Sequence, residues 1–311
     1  MTAPLLLVDA ASLYFRAFHG VPAAAATAPD GTPVNAVRGF LDMLATLVRT
    51  RRPDRVVCAL DADWRPAWRV ALIGSYKAHR LAADGGEQVP DALTPQVPIL
   101  LEVLAAVGVA CVGVAGHEAD DVIGTLAAAD PGPVEVATGD RDLLQVIDDQ
   151  RGVRVLYCGR GVAKLEVFDD AAVRARHGVP AAWYADLATL RGDPSDGLPG
   201  VAGVGEKTAV RLLTTFDGLA GLLAAVGDDT DRRLAAGLRT RLAAADGYLT
   251  AARQVTAVRT DVPVGNVDPT LPAAPVDAAA LATLVERYNL TSPVQRLTAA
   301  LTATAAGQVA R

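Results

Sequence analysis

Histidine and cysteine are scarce in this chain, four and three among 311 residues. Neither joins the acidic pattern described below, which speaks against a zinc site built from Cys and His. Cys58, Cys111 and Cys158 each lie in a strand-like run, and their odd number fits reduced, buried thiols rather than a disulfide framework. Aromatic residues are only 5% of the chain. No apolar run approaches the ~20 residues that a membrane span needs. The first apolar run, about four residues before Asp9, does not suit a signal peptide. A soluble, cytoplasmic protein without a membrane partner is the expectation. Positive charge is also in deficit, with 29 Lys plus Arg against 35 Asp plus Glu and a net charge of −6. Taken alone, that balance opposes nucleic-acid binding. What the chain has in quantity is Ala, Leu and Val, within a 51% hydrophobic composition. Its length suffices for one large domain or two smaller ones.

The acids are not scattered. They recur at the ends of hydrophobic runs: Asp9, Asp61, Glu118-Ala-Asp120-Asp121, Asp140-Arg-Asp142 and Asp193-Pro-Ser-Asp196. A carboxylate directly after a run such as Leu5-Leu-Leu-Val8 sits where a buried strand surfaces. In an open α/β sheet the crevice at the carboxyl ends of the strands is where ligands bind. A lone Asp in such a place is commonly a turn or helix-capping residue. Three acids in four residues at Glu118–Asp121 exceed what a cap needs, even with the helix dipole favouring negative charge. In Thr138-Gly-Asp-Arg-Asp142 capping explains one aspartate, not both. Nine carboxylates in one crevice would repel each other unless something positive joined them. Hard divalent cations prefer all-oxygen ligands, so the joint pattern predicts a Mg²⁺ or Mn²⁺ cluster. Setting those nine aside turns the net charge from −6 to +3, so the rest of the surface is mildly basic.

Strand-like segments near 4–9, 55–61, 109–113, 133–137 and 153–157 alternate with helical patterns at 35–49, 95–107, 119–129 and 141–147, and a β-hairpin is expected around Lys164 to Phe168. This alternation predicts an α/β fold with a mainly parallel twisted sheet and helices on both faces. After about Trp183 the strands stop and short helices follow. Pro263 to Pro275 reads as extended, Asp277 to Tyr288 as a helix, and the Ala/Thr-rich residues 302–311 as a disordered tail.

Two further segments carry chemistry. Between Asp63 and Pro90, Arg65, Arg69, Lys77, His79 and Arg80 are interleaved with Trp64, Trp68 and Tyr76. Basic and aromatic residues together suit a nucleic-acid strand through phosphate contact and stacking, the alternative being a solvated surface helix. The second segment is Asp193 to Thr208. Gly200-x₄-Gly205 nearly matches a phosphate-binding P-loop, but Glu206 stands where the lysine must follow, and no strand precedes it. The better reading is a helix–hairpin–helix. Gly200, Gly203 and Gly205 would let backbone N–H groups approach a DNA phosphate, the next helix N-terminus would add its dipole and Lys207 a charge.

With these stretches in view, the chain resembles the bacterial 5′ nuclease family, which comprises the 5′–3′ exonuclease domain of DNA polymerase I and stand-alone flap endonucleases. The likeness rests on Leu6-Leu-Val-Asp-Ala-Ala-Ser12, Phe15-Arg-Ala-Phe-His19, Asp30-Gly-Thr-Pro-Val-Asn-Ala-Val37, Tyr76-Lys-Ala-His-Arg80, His117 to Leu126, Thr138 to Gln145 and Gly192 to Ala209, in family order. No polymerase domain accompanies them, as in the stand-alone form. The resemblance implies that all nine acids serve the metal site. Asp9, Asp61 and Asp120 would mainly serve a first ion and Asp140, Asp142 and Asp193 a second, with Glu118, Asp121 and Asp196 binding directly or through water. It implies that Lys77 and Arg80 approach the scissile phosphate, that Tyr76 stacks on a nucleotide, and that Arg16 and the hairpin residues Gly200, Gly203, Gly205, Lys207 and Thr208 contact DNA. A K⁺ ion at the hairpin is implied too. The implied layout is a nuclease core over 1–182 with an arch at about 63–94, and a helical DNA-binding part over 183–301 with the hairpin at about 192–215. The implied substrate is DNA with a 5′ flap or 5′ end beside a duplex, cut by a monomer working with replication or repair proteins. Ala10-Ala11, Arg38, Pro194 and Gly197 depart from the family pattern and bear on substrate preference. A non-catalytic DNA-junction binder and a metal-dependent RNase are the competing classes. The first gives no reason for nine phosphate-repelling acids, and the second would need to read a 2′-hydroxyl.

Overall fold

The computed structural model describes residues 4–83 and 85–309. Strand β1 (Leu5–Asp9) is buried along its whole length. A strand covered on both faces has no polar side, which is why it reads as a continuous apolar run. It passes directly into α1 (Ala10–Gly20), whose first turn is capped by the Asp9 side chain. Next come α2 (Asn35–Arg51) and β2 (Arg55–Ala59). The chain then leaves the core as an arch, made of the short helix α3 (Ala67–Leu72), a 3-10 turn at Ala78–Arg80 and a small hairpin that bridges Leu81 to Glu87. It re-enters through α4 (Gln96–Val107), β3 (Ala110–Val112), α5 (Ala119–Ala129), β4 (Val134–Thr138) and β5 (Val153–Tyr157). β6 (Glu166–Phe168) turns back antiparallel on β5, pairing Phe168 with Val155, and α6 (Asp170–His177) follows. The hairpin expected at 164–168 is thus the β5–β6 pair, with a 3-10 turn at Val162–Lys164 in the connection.

The strands form one six-stranded sheet in the order β3-β2-β1-β4-β5-β6, parallel except at β6. The chain moves outward from β1 to β2 and β3, then returns to place β4 on the other side of β1. That reversal is a topological switch point, and it opens a crevice at the carboxyl ends of β1 and β4. Asp9 ends β1, and Asp140 lies two residues beyond β4.

Apolar side chains fill both faces of the sheet. One face packs Leu6, Val8, Val56 and Cys58 against α1, α2 and α4 through residues such as Leu13, Phe40, Leu44 and Leu104. The other packs Leu7, Val57, Val136 and Val155 against Val122 and Ile123 of α5 and Leu143 and Leu144. A third core holds the helical lobe of α7 (Tyr184–Arg191), α8 (Glu206–Phe216), α9 (Leu219–Gly227), α10 (Ala236–Ala244) and α11 (Asp246–Thr256). Among the described residues no single helix is long and apolar enough to cross a membrane.

Three sequence expectations change. The segment expected as a helix at 141–147 is a 3-10 turn, Asp142–Val146. The final helices α12 (Ala278–Tyr288) and α13 (Thr291–Val309) leave the helical lobe and join the α/β core, where Leu281, Leu290, Leu297 and Leu301 are buried. The tail expected to be disordered from 302 is helical through Val309, and residues 310 and 311 lie outside the described range. Small residues cause this. Ala300 and Ala305 let α13 lie close against the sheet-face core, and Arg296 pairs with Asp42 of α2 at 2.7 Å.

Candidate metal centre and nucleic-acid interface

Each acid reaches the crevice by a local device. Asp9 accepts the Ser12 amide at 3.0 Å, as a cap would, while its other oxygen accepts the Thr138 hydroxyl at 2.6 Å across the β1–β4 gap. It is 4% exposed, and burial, with Asp61 and Asp140 adding like charge, pushes its pKa up to about 7. Asp61 follows β2 and accepts the amide of Ala119, the first residue of α5, at 2.7 Å. Asp120 sits in that first turn, and burial together with Asp140 and Asp9 raises its pKa well above the carboxylate range. On the far side of the crevice, Asp140 accepts the Asp142 amide at 2.8 Å. Burial and the charges of Asp140, Asp196 and Asp193 drive Asp142 upward in the same way. Asp193 is held by the Ser195 amide and hydroxyl at 2.8 and 2.5 Å. Asp196 pairs with Arg80 at 3.2 Å.

All of these but Asp196 line two adjoining compartments. A cavity of about 180 Å³ is bordered by Asp9, Asp61, Glu118, Asp120 and Asp140, with Lys77, Arg80 and Glu87 opposite. A wider cleft of about 660 Å³ is bordered by Asp140, Asp142 and Asp193, with Arg80, Arg141 and Arg191. Asp140 and Arg80 face both. Among the described residues no three carboxylates converge closely enough to ligate one point by themselves. Instead Lys77 pairs with Glu118, and Arg80 with Asp196. The donor set is nevertheless what a hard divalent cation takes. It is all oxygen and drawn from separate elements, and burial, with neighbouring acids adding like charge, raises the pKa of Asp9, Asp120 and Asp142.

Two of the three acids in Glu118–Asp121 take up further contacts. Glu118 and Asp121 form a reciprocal capping box at the start of α5. Asp121 is 0% exposed, lines neither compartment, and accepts from Arg69 at 2.7 and 2.8 Å and from the Arg259 amide at 2.9 Å. Its contacts fix Arg69 beside the crevice. Glu118 borders the smaller cavity but is held by Arg69 at 2.5 Å, Tyr76 at 2.7 Å and Lys77. Arg69, 3% exposed, also donates to the Val255 carbonyl at 3.2 Å and stacks on Trp68. It therefore ties the arch to α5 and to α11.

Tyr76 also turns inward. It is buried against Leu198 and Val255 with its hydroxyl on Glu118, so its ring is not presented for stacking. Arg16 donates to the carbonyls of Gly159 and Gly139 at 3.0 and 3.2 Å, bracing the β4 and β5 exits rather than reaching outward. Its guanidinium occupies the space where any side chain at Gly139 would begin.

The glycine segment forms the expected hairpin between α7 and α8. Gly200 has φ of +71°, and a Cβ there would lie 2.5 Å from the Arg191 backbone, so the two limbs cross too closely for any other residue. Tyr248 of α11 holds this crossing by accepting the Gly200 amide at 2.9 Å and donating to the Thr189 carbonyl at 3.2 Å. Gly203 is exposed, Gly205 caps α8, Lys207 is exposed and Thr208 half-buried, which leaves the helix start open. The arch docks on this loop: Ser75 donates to the Gly197 carbonyl at 2.8 Å, and the Lys77 amide to the Asp196 carbonyl at 2.9 Å. The sequence pattern did not single out Tyr248, Arg191 or Glu87.

Comparison with known proteins agrees with this layout. Residues 4–178 match the 5′-3′ exonuclease N-terminal resolvase-like domain, and residues 179–279 the 5′-3′ exonuclease C-terminal SAM fold. A 5′-3′ exonuclease of Streptomyces coelicolor is 56% identical over 303 residues, covering 96% of this chain and all of the relative. A 5′-3′ exonuclease of Mycobacterium tuberculosis is 52% identical over 315 residues, covering 97% and 98%. Among solved structures, the bacteriophage T5 flap endonuclease in a pseudo-enzyme-product complex with DNA and metal ions shares the fold. Its TM-score is 0.62 at 14% identity, over 97% of this chain and 99% of that one.

Proposed function

Because the chain belongs to the 5′-3′ exonuclease family, we propose that it is a structure-specific 5′ nuclease that hydrolyses DNA at 5′ flaps and 5′ ends and leaves 5′-phosphate products. The observation that carries this reading is the meeting of strand-end acids with Lys77 and Arg80 of the arch around the same two compartments. Mg²⁺ or Mn²⁺, two or more per site, would supply an activated water and neutralise charge on the leaving oxygen. Asp9, Asp61, Glu118 and Asp120 would hold cations in the smaller cavity, and Asp140, Asp142, Asp193 and Asp196 on the other side.

The protein's own residues do the rest. Lys77 and Arg80 are paired with Glu118 and Asp196, which keeps both cations poised at the crevice. A scissile phosphate can exchange for those carboxylates, and charge then building on its oxygens meets the two side chains. The open start of α8, with Gly203, Gly205, Lys207 and Thr208, suits a duplex phosphate and, through its loop carbonyls, a K⁺ ion. Such contacts grip the backbone without reading bases, so the position of a 5′ junction, rather than its sequence, sets the cut. Monomeric action in the cytoplasm, beside replication or repair proteins, belongs to the same reading.

The test is cleavage of a 5′-labelled flap duplex in EDTA, Mg²⁺ or Mn²⁺, beside Asp142→Asn. Flap release in either metal, absent in EDTA and in the variant, is expected. Tight binding without cleavage in both metals would favour a junction-binding protein instead.

A further inference from the structure

The arch carries a carboxylate that belongs to none of the strand-end motifs. After the turn at Ala78–Arg80 the chain doubles back. The Ala82 amide donates to the Gly86 carbonyl at 2.9 Å, the Gln88 amide to the Arg80 carbonyl at 2.7 Å, and Leu81 bridges Glu87. This hairpin brings Glu87 over the smaller cavity, where it lines the wall with Asp9, Asp61, Glu118 and Asp120. Its electrostatic neighbours are Asp61, which repels it, and Arg80 and Lys77, which attract it. Both cations are already bonded elsewhere, Arg80 to Asp196 and the Ser195 carbonyl, Lys77 to Glu118. Glu87 thus stands half-buried at an acidic cavity with no hydrogen bond or ion pair of its own among the described residues. Folding a hairpin so as to bring one more acid to Asp9, Asp61, Glu118, Asp120 and Asp140 is unfavourable unless a cation shares the space.

We infer that Glu87 is an arch-borne residue of the cation site, acting with Asp61 on a divalent ion directly or through its water shell. Cation binding then also secures the strand that carries Glu87. This rests on the metal-site reading above and adds to it: the arch is held down by the ion as well as by its latch on the Ser195–Gly197 loop. Glu87 acts as a positioning residue, because its contact is with the ion and not with DNA.

Two measurements without DNA test this. The first is Mn²⁺ binding followed by the electron paramagnetic resonance of the free ion, for the unaltered protein, Glu87→Gln, and Glu102→Gln as a control that removes an exposed charge on α4. The second is the rate at which trypsin cuts after Arg80, with and without Mn²⁺. Glu87→Gln is expected to weaken Mn²⁺ binding about tenfold, as loss of an outer-shell partner does. It should also abolish the Mn²⁺ protection of the Arg80 bond, while Glu102→Gln changes neither. Equal Mn²⁺ affinity in Glu87→Gln and the unaltered protein would overturn the inference and leave the metal site standing. No Mn²⁺ binding by the unaltered protein would instead remove the metal site itself, and this inference with it.

Discussion

Replacing Arg69 by methionine isolates the network that joins the arch to the crevice. Arg69 is 3% exposed, and its guanidinium makes three bonds of 2.5–2.8 Å to Glu118 and Asp121 and a fourth, of 3.2 Å, to Val255. Methionine preserves much of the volume and leaves Asp121, 0% exposed, without its counter-charge. Removing one partner of a buried pair costs about 3–5 kcal/mol. Asp121 keeps the Arg259 amide at 2.9 Å, so the lower end, about 3 kcal/mol, applies. For domains of this size that corresponds to a fall in Tm of roughly 6–12 °C. Because Glu118 loses one of its three partners as well, cleavage should fall further than folding alone requires at temperatures below the transition. Pairing Arg69→Met with Asp121→Asn removes the stranded charge and should restore about 1 kcal/mol or more, read as the coupling term of a double-mutant cycle. Urea unfolding gives the stabilities and single-turnover flap cleavage the rates. A loss under about 0.5 kcal/mol in Arg69→Met, the range of an ordinary surface change, would refute the claim that this network is a structural hub.

Other consequences follow from the same geometry. Burial holds Asp9, Asp120, Asp142 and Asp196 above their unfolded pKa, so the folded protein without metal binds more protons than the unfolded chain. Its stability should therefore fall as pH rises from about 4 through 7, on the order of 4 kcal/mol for Asp9 before relaxation. Thermal melts in EDTA and in Mn²⁺ check this: the cation should flatten the slope, and metal-free stability that rises with pH would contradict it. Lys77→Ala should slow single-turnover cleavage about 10²–10³-fold while changing flap affinity much less; equal losses in both would make Lys77 a binding contact only. Gly200→Ala forces the hairpin limbs apart, so duplex affinity by fluorescence anisotropy should drop about tenfold at moderate salt, with cleavage at saturating DNA changed less. Unaltered duplex affinity would put the DNA grip elsewhere.

The sheet and the acids were legible because one physical fact produces both signals. A buried parallel strand is mostly apolar until it leaves the core, apart from a paired acid such as Glu135 of β4, so the carboxylate that follows the run marks the end of the strand and the wall of the crevice. Asp9, Asp61 and Asp140 are found that way. The arch was legible as a basic, aromatic segment, but not in its direction. Composition does not say whether Arg69 and Tyr76 face a nucleic acid or the protein's own buried carboxylates, and the structure turns both inward. Asp121 shows the complementary effect: next to Asp120 in sequence, it lies about 100° round the helix and meets Arg69. α13 was hidden by its composition, since an Ala/Thr-rich stretch looks weakly packed until α2 supplies the partner surface. Glu87 carries no motif, and only the folding back of the hairpin reveals where it points.

The most direct test of the central claim is polarity. A double-flap duplex carrying different labels on its 5′ and 3′ flaps is cut once by the protein in Mn²⁺, and the nicked product is offered to a DNA ligase. A 5′ nuclease releases the 5′ flap, leaves the 3′ flap intact, and yields a nick that seals because it bears a 5′ phosphate. Release of the 3′ flap, or a cut that leaves no 5′ phosphate, would contradict it.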